Sequence, residues 1–344
     1  MKRALLVGGT GPSGPHISRG LLARGFEVTV FHTGRHEPEE SLPVEHLHGD
    51  PFSAEGIGQA ISRREFDIVI ATYGRIKLLA RAVAGRVGQF LSVGGTLAYQ
   101  GFISPAKSFP SGLPIGTRED FPMVPPDAMS ESRGASAVRR VEDALFGLHE
   151  EGAFSVSVFR FPSLYGPRNP HHWEWSTIRR VLDNRPFIVL PDSGLPIHSR
   201  LSARNAAHSI LLAVDYPEEA AGQAFNCADD DQYSLREWVE MTMEFADGAL
   251  EIVSVPGDIP SPGYGTVVFG YSCTPHAVFD TRKIRRLLNY TDTKPAVACL
   301  HETVEWILSN RADAECWSIL DPFDYAAEDQ FMSVWRNATD QFAH

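Results

Sequence analysis

Short, mostly aliphatic runs alternate with amphipathic segments through the first half of the chain. Nearly continuous hydrophobic runs are typical of parallel strands that are covered on both faces. The runs lie at Ala4–Val7, Glu27–Phe31, Glu45–His48, Ile68–Ala71, Gln89–Ser92 and Val156–Arg160. Segments with helical periodicity separate them, near His16–Arg24, Ala54–Arg63, Arg75–Ala84 and Ser136–Glu150. The alternation predicts an α/β protein with a doubly wound parallel sheet and right-handed crossovers.

The pattern changes after Pro162, where prolines become frequent between the helical segments. Those segments are Ser176–Asp183, Ala203–Tyr216, Leu235–Asp247 and Val297–Asn310. Helical segments separated by proline-rich stretches predict a smaller, mixed α/β lobe that is interleaved with the end of the sheet. We therefore expect residues 1–165 to form the sheet domain and residues 166–344 to form a second lobe that selects the substrate.

Glycines mark the turn between the first strand and the first helix. Gly8, Gly11 and Gly14 stand three apart, and residues 9–14 also fit the pattern G-x-G-x-x-G. In such a turn one glycine makes the bend, one lets the backbone approach a pyrophosphate, and one lets the helix pack on the strand. The strand before the turn and the helix after it favour dinucleotide binding, and with it a Rossmann-type domain. The alternative is a turn whose glycines serve packing alone.

The phosphates of a dinucleotide would lie at the positive end of the first helix, facing backbone N–H groups. Pro12 and Pro15 have no N–H, so we expect Ser13 and Gly14 to be the main donors. The residues predicted to form the phosphate loop are Gly8, Gly9, Thr10, Gly11, Ser13 and Gly14.

Charge and composition limit the partners. The formal net charge of the 344 residues is −12, which argues against a nucleic-acid surface. No apolar run approaches the length that spans a bilayer. The cysteines, Cys227, Cys273, Cys299 and Cys316, lack the paired spacing of a metal site, so we expect reduced thiols, no metal and a cytoplasmic protein. A small-molecule substrate is the expected partner.

Four later stretches add motifs to the glycine loop. His48-Gly49-Asp50 follows the third strand, and residues 160–168 read Arg-Phe-Pro-Ser-Leu-Tyr-Gly-Pro-Arg. Further along stand Phe225-Asn226-Cys227-Ala228 with Tyr233-Ser234-Leu235, and Asp280-Thr281-Arg282-Lys283-Ile284 with Leu287-Leu288-Asn289-Tyr290. Together these stretches resemble the extended short-chain dehydrogenases/reductases of the NAD-dependent epimerase/dehydratase family. The resemblance covers residues 1 to about 310 and leaves the last thirty, including Asp321–Tyr325, without a match.

The resemblance implies further cofactor contacts. It places the Asp50 carboxylate against the adenine, and it puts Ala71, at the end of the fourth strand, and Pro162, after the sixth, beside the cofactor. It also implies a homodimer formed through the two long helices that flank the sheet.

The end of the second strand indicates which nicotinamide cofactor is bound. NAD-preferring proteins carry an acidic residue there for the ribose 2′-hydroxyl. This chain has no carboxylate between Phe31 and Glu37, whereas Arg35 could pair with a 2′-phosphate and His32, Thr33 and His36 could add donors. We expect NADP to be preferred over NAD. The alternative is that Arg35 is a solvated turn residue.

The acid/base pair of the family is missing. Its members use Tyr-x-x-x-Lys, in which the tyrosine moves a proton and the lysine lowers its pKa. If Glu142 matches the glutamate four residues past the lysine, the lysine position holds Val138 and the tyrosine position Gly134. No tyrosine lies between Tyr99 and Tyr165, and no lysine between Lys107 and Lys283, so no shift of the alignment restores the pair.

Substitute hydroxyls are available near the carboxyl edge of the sheet. Ser92 and Thr96 follow the fifth strand, and Tyr99 and Tyr73 are phenols that could donate a proton if a cation such as Arg133 or Arg139 lay close. For both tyrosines the alternative is an aromatic of the core or of the pocket wall.

The second lobe offers candidates for substrate binding. They are Tyr165 and Trp173, which could contact or stack on a substrate, and Arg200, which could meet a phosphate or carboxylate. His171 and His172 invite a metal interpretation, but adjacent histidines rarely face one ion. Two hypotheses follow: an atypical NAD(P)-dependent oxidoreductase or epimerase-like enzyme acting on a small carbonyl or sugar-like compound, or a non-catalytic NAD(P)-binding sensor or partner-binding module on the same fold.

Overall fold

The computed structural model describes residues 1–35, 42–62, 64–127, 132–262, 276–311 and 321–341. His36, Cys273 and Cys316, which the sequence analysis named, lie outside these ranges. The chain divides into two compact units. The first comprises Met1–Asn169, Ser199–Asp231 and Cys273–Ala296, and the second Pro170–His198, Gln232–Ser272 and Val297–His344.

Seven parallel strands form the sheet of the first unit, in the order β10-β6-β5-β4-β1-β2-β3. Their bounds are β1 Arg3–Val7, β2 Glu27–His32, β3 Glu45–His48, β4 Ile68–Ala71, β5 Gln89–Gly95, β6 Ser155–Phe161 and β10 Gln223–Asn226. The predicted doubly wound parallel sheet is confirmed. All six predicted strands are present, and the seventh, β10, is added at the edge beside β6.

Helices connect these strands and cover both faces of the sheet. The helices of the described chain are α1 Gly14–Ala23, α2 Ala54–Ile61, α3 Ile76–Val83, α4 Arg133–Glu150, α5 Trp175–Leu182, α6 Ala203–Asp215, α7 Pro217–Ala220, α8 Leu235–Phe245, α9 Arg282–Leu288, α10 Ala296–Ser309 and α11 Tyr325–Asp340. Short 3₁₀ turns lie at Thr96–Ala98, Pro105–Lys107 and Asp192–Gly194. All eight predicted helices are present, with ends that differ from the predicted ones by at most three residues.

Each face of the sheet has its own hydrophobic core, because successive strand residues point to opposite faces. Leu6 packs with α1, α6 and α9, whereas its neighbour Leu5 packs with α2, α3 and α4. Since both residues are fully buried, β1 lies at the centre of the unit. The carboxyl ends of the central strands therefore meet at one edge, where the loops are free to carry ligand-binding groups.

The second unit is built on a small parallel pair, β8 Phe187–Pro191 with β11 Glu251–Val255. One face of this pair packs on α8 and the other on α11. Two further short strands, β7 Ser163–Tyr165 and β9 Arg200–Ser202, pair in the first unit.

A buried ion-pair network holds the last described segment to the second unit. Arg180 is 2% exposed, its Nη1 donates to Asp321 Oδ2 at 2.8 Å, and its Nη2 is paired with Glu328. Removing one partner would leave an uncompensated charge in the interior, which is costly. Asp321 and Glu328, which match no family motif, therefore have a structural role, and Arg180 belongs to the interior of the unit.

Candidate active site

The phosphate loop between β1 and α1 has glycine where the backbone leaves no room for a side chain. Gly8 has a φ of +89°, and a Cβ there would lie 2.5 Å from Thr72 Oγ1 and from Tyr73 Cβ. A Cβ at Gly14 would overlap the carbonyl of Gly9. These two positions hold the strand, the turn and the helix in contact.

Gly11 differs, because its surroundings are open. The nearest atom to a Cβ at Gly11 is Gly8 O at 3.5 Å, an ordinary contact. The Gly11 amide donates to Gly8 O and the Gly14 amide to Gly11 O, so both are used within the turn. Within the described chain the amides of Thr10 and Ser13 make no hydrogen bond. An open backbone surface with two available donors at a helix N-terminus suits a pyrophosphate.

At the end of β2, His32 is 3% exposed and belongs to the sheet rather than to the surface. Its Nε2 lies 2.9 Å from His46 Nδ1, and its Nδ1 accepts the Gly34 amide at 3.2 Å. Thr33 is half-buried and Arg35 is exposed, with the Arg35 amide 3.4 Å from Thr33 Oγ1. Of the predicted donors, Arg35 is therefore the one that solvent and ligands can reach most easily.

The structure brings Asp50 and Tyr73 into one neighbourhood. Asp50 is exposed, and its Oδ1 accepts the Phe52 amide at 2.8 Å. The rings of Phe52 and Tyr73 meet edge to face at 4.9 Å and are 44% and 46% exposed. Ala71, just before this loop, is fully buried at the end of β4. Tyr73 thus lies with the residues expected on the adenine side.

The hydroxyls of Ser92, within β5, and of Thr96, directly after it, are buried and weakly bonded. Ser92 is 1% exposed with its Oγ 3.4 Å from Val93 O, and Thr96 is 2% exposed with its Oγ1 3.5 Å from Phe161 O. Hydrogen bonds this long contribute little, so these hydroxyls can turn toward another acceptor. Pro162 follows Phe161 and is half-buried.

Tyr99 is held in the interior by strong partners. Its hydroxyl donates to Asn226 Oδ1 at 2.6 Å and accepts from Arg160 Nη1 at 2.7 Å. Arg160 is in turn paired with buried Glu142 of α4. Burial raises the pKa of Tyr99 to about 12. This geometry favours the structural interpretation of Tyr99, in which the network joins β5, β6, β10 and α4.

Gly134, which the sequence predicts to occupy the family's tyrosine position, lies in the first turn of α4 near Leu97, in the segment that follows β5. A Cβ there would be 3.9 Å from Leu97 Cδ1 and from Ser132 Oγ, so a side chain has room. Val138 is half-buried. Arg139 is paired with Asp143 at 2.7 Å, whereas Arg133 is exposed.

The three residues predicted to bind substrate differ in exposure and in their neighbours. Tyr165 is 2% exposed, and its hydroxyl donates to Asp229 Oδ2 at 2.6 Å, so it supports the backbone around β7. Arg200 is half-buried in β9. Trp173, in the second unit, is half-buried beside His171, with ring centroids 6.1 Å apart.

His172 is a buried neutral base in the second unit. It is 1% exposed, its ring lies 5.1 Å from that of Trp306, and neither ring nitrogen has a hydrogen-bond partner among the described residues. Burial, and to a smaller extent nearby His171, lower the pKa of His172 to about 4. Nothing in the sequence pattern predicts that the His172 ring is buried.

The first unit thus contains a Rossmann-type sheet with an open phosphate loop. No protein-family model matches the sequence. A curated relative, the UDP-N-acetyl-alpha-D-glucosaminuronate decarboxylase of Bacillus cytotoxicus, is 22% identical over 334 residues, which cover 89% of this chain and 97% of the relative. No helix in the described part of the chain is long and apolar enough to cross a membrane.

Solved structures of epimerases have the same fold. UDP-glucose 4-epimerase of Thermotoga maritima, solved with UDP-glucose, matches with a TM-score of 0.72 at 16% identity, covering 90% of this chain and 99% of that one. UDP-glucuronic acid 4-epimerase of Bacillus cereus, in complex with UDP-glucuronic acid and NAD, matches with a TM-score of 0.67 at 14% identity, covering 89% and 99%. The resemblance to the epimerase/dehydratase family is confirmed in the fold.

His172 generates a prediction about pH. Its ordinary pKa is near 6.5 and its folded pKa is about 4, so the unfolded chain takes up the proton first as the pH falls. The stability contributed by the neutral ring is complete above pH 6.5 and is lost between about pH 6.5 and 4, by on the order of 3 kcal/mol. Urea unfolding of His172→Phe should show a flatter loss over that interval than the unmodified chain. Parallel curves for the two proteins would contradict the assignment.

Proposed function

We propose that this chain binds a nicotinamide dinucleotide at the carboxyl edge of its sheet. It would transfer hydride to or from a nucleotide sugar or, alternatively, a small carbonyl compound. The observation that carries the proposal is the phosphate loop, with Gly11 open and the Thr10 and Ser13 amides available. Solved neighbours that bind NAD or nucleotide sugars support it. The first unit would hold the cofactor, and the second would choose the substrate.

The proposed cofactor is NADP, with NAD accepted less well. A carboxylate at the end of β2 would repel a 2′-phosphate, and residues 28–35 contain none. Exposed Arg35 can form a charge-assisted contact with that phosphate, and Thr33 can support the loop. Asp50, Ala71 and Pro162 would line the rest of the cofactor site. A homodimer and a cytoplasmic location are further predictions of the same proposal.

The cofactor supplies the hydride chemistry, and the chain must orient the substrate and move the proton. The family's pair is replaced by Gly134 and Val138, and the Tyr99 hydroxyl is committed to Asn226 and Arg160. Thr96 and Ser92 keep weak partners, so we assign them to orienting the substrate oxygen rather than to strong acid/base catalysis. Proton transfer would then be slow in the unmodified chain.

A non-catalytic dinucleotide sensor is the second candidate function. Gly134 and Val138 favour this function, because a chain without Tyr-x-x-x-Lys lacks the usual means of proton transfer. The two functions differ only in whether a substrate is converted once the cofactor is bound.

Replacing Arg35 tests the cofactor assignment. Arg35→Ala should weaken NADP binding by roughly 10- to 100-fold, since a hydrogen bond to a charged group contributes roughly 1.5–3 kcal/mol, and should leave NAD binding unchanged. Fluorescence titration of both cofactors measures the ratio. Arg118→Ala, an exposed arginine paired with Asp120, is the matched control and should change neither. An equal loss for NAD and NADP in Arg35→Ala would contradict the assignment.

Restoring the missing pair tests the reaction. The unmodified chain and the double variant Gly134→Tyr/Val138→Lys are incubated with NADP, NAD and a panel of UDP-sugars, and products are followed by chromatography and nicotinamide absorbance. Slow conversion of one sugar is expected, and the double variant should raise the rate about 100-fold, within the range of general acid/base catalysis. Tight cofactor binding without conversion by either protein would establish the sensor instead.

A further inference from the structure

Three of the histidines of the chain meet at the carboxyl ends of β2 and β3. In the parallel register His32 lies opposite His48, and Val30 lies opposite His46. His46 and His48 are two residues apart on one strand, so their side chains leave the same face of the sheet. β3 is the outermost strand, and the burial falls from His32 through half-buried His46 to exposed His48.

The three imidazoles are close enough to share one ion. One ring nitrogen from each lies within 4.8 Å of the other two. His32 Nε2 is 2.9 Å from His46 Nδ1, and the His48 ring meets the His32 ring at 4.8 Å between centroids. With Zn–N bonds near 2.0–2.1 Å, two nitrogens on a tetrahedral zinc ion are about 3.3 Å apart. The His32–His46 pair is thus near that spacing, and exposed His48 can close the remaining gap by rotation.

We propose that His32, His46 and His48 form a Zn²⁺ site with a fourth position open to solvent. Three imidazole nitrogens are a borderline-soft donor set that suits zinc and its neighbours in the transition series, and does not suit Mg²⁺ or Ca²⁺. The carboxylate closest in sequence, Glu45, is occupied by Arg64 and Thr29 and leaves the histidines as the ligands. The site does not depend on the proposed function.

Zinc binding requires one change of tautomer. His32 Nδ1 accepts the Gly34 amide, so its ring proton lies on Nε2 and is donated to His46. When the ion binds Nε2, that proton moves to Nδ1, and the Gly34 contact, at 3.2 Å the longer of the two, opens. The backbone at Gly34 would therefore respond to the metal.

Competition for zinc tests the proposal. Chelator-treated, untagged protein is titrated with Zn²⁺ in the presence of a chromogenic zinc indicator, and Co²⁺ is added separately to record the visible absorption of a tetrahedral site. One equivalent should bind, and His32→Gln and His48→Gln should each weaken binding by at least about tenfold. His48 is exposed, so its variant keeps the test valid if His32→Gln does not fold.

His301→Gln is the matched control. His301 is an exposed histidine of α10 with Glu305 one turn away, so it represents ordinary surface chelation. Its replacement should leave zinc affinity unchanged. Stoichiometry well below one, or an equal loss of affinity in His48→Gln and His301→Gln, would overturn the proposal.

Discussion

The contact between the carbonyl of Gly9 and the α-carbon of Gly14 sets the geometry on which the rest of the site depends. A single added methyl group at Gly14 would overlap the turn, and one at Gly8 would collide with Thr72 and Tyr73 at the end of β4. At these two positions the backbone of the turn lies directly against its neighbours, whereas further along α1 side chains pack on the sheet. The amides of Thr10 and Ser13 at the helix N-terminus make no hydrogen bond within the described chain, and an anion is favoured at this position.

A buried polar network supports the same edge of the sheet. Arg160 connects Glu142 of α4 with Tyr99 after β5, and Tyr99 reaches Asn226 at the end of β10. In the interior such bonds are strong, and an unsatisfied member is costly. The network therefore ties α4 to β6, to the end of β10 and to the segment that follows β5. Because the Tyr99 hydroxyl is held in it, the edge at which we propose cofactor binding is consistent with either a slow enzyme or a sensor.

The sheet could be predicted from the sequence because its strands are local hydrophobic runs bounded by turns, and α/β alternation allows few topologies. The seventh strand was missed because Gln223–Asn226 has only two apolar residues and pairs with a strand more than sixty residues away. The hydrogen bonds of the Tyr99 hydroxyl could not be predicted either, since its partners, Arg160 and Asn226, lie on β6 and β10. The same holds for Arg180, whose partners lie more than 140 residues away, and for the three histidines, which only the β2–β3 register brings together.

The central claim is that the open backbone at Gly11 receives a pyrophosphate. Calorimetric titration of Gly11→Ala with NADP and NAD tests it directly, because the added methyl group meets no atom closer than 3.5 Å in the folded chain and leaves folding intact. Gly58→Ala, on α2 with nothing within 4 Å, is the control. The account predicts one bound dinucleotide for the unmodified chain and for the control, and none for Gly11→Ala at the same melting temperature. Absence of binding heat in the unmodified chain, or undiminished binding by Gly11→Ala, would contradict it.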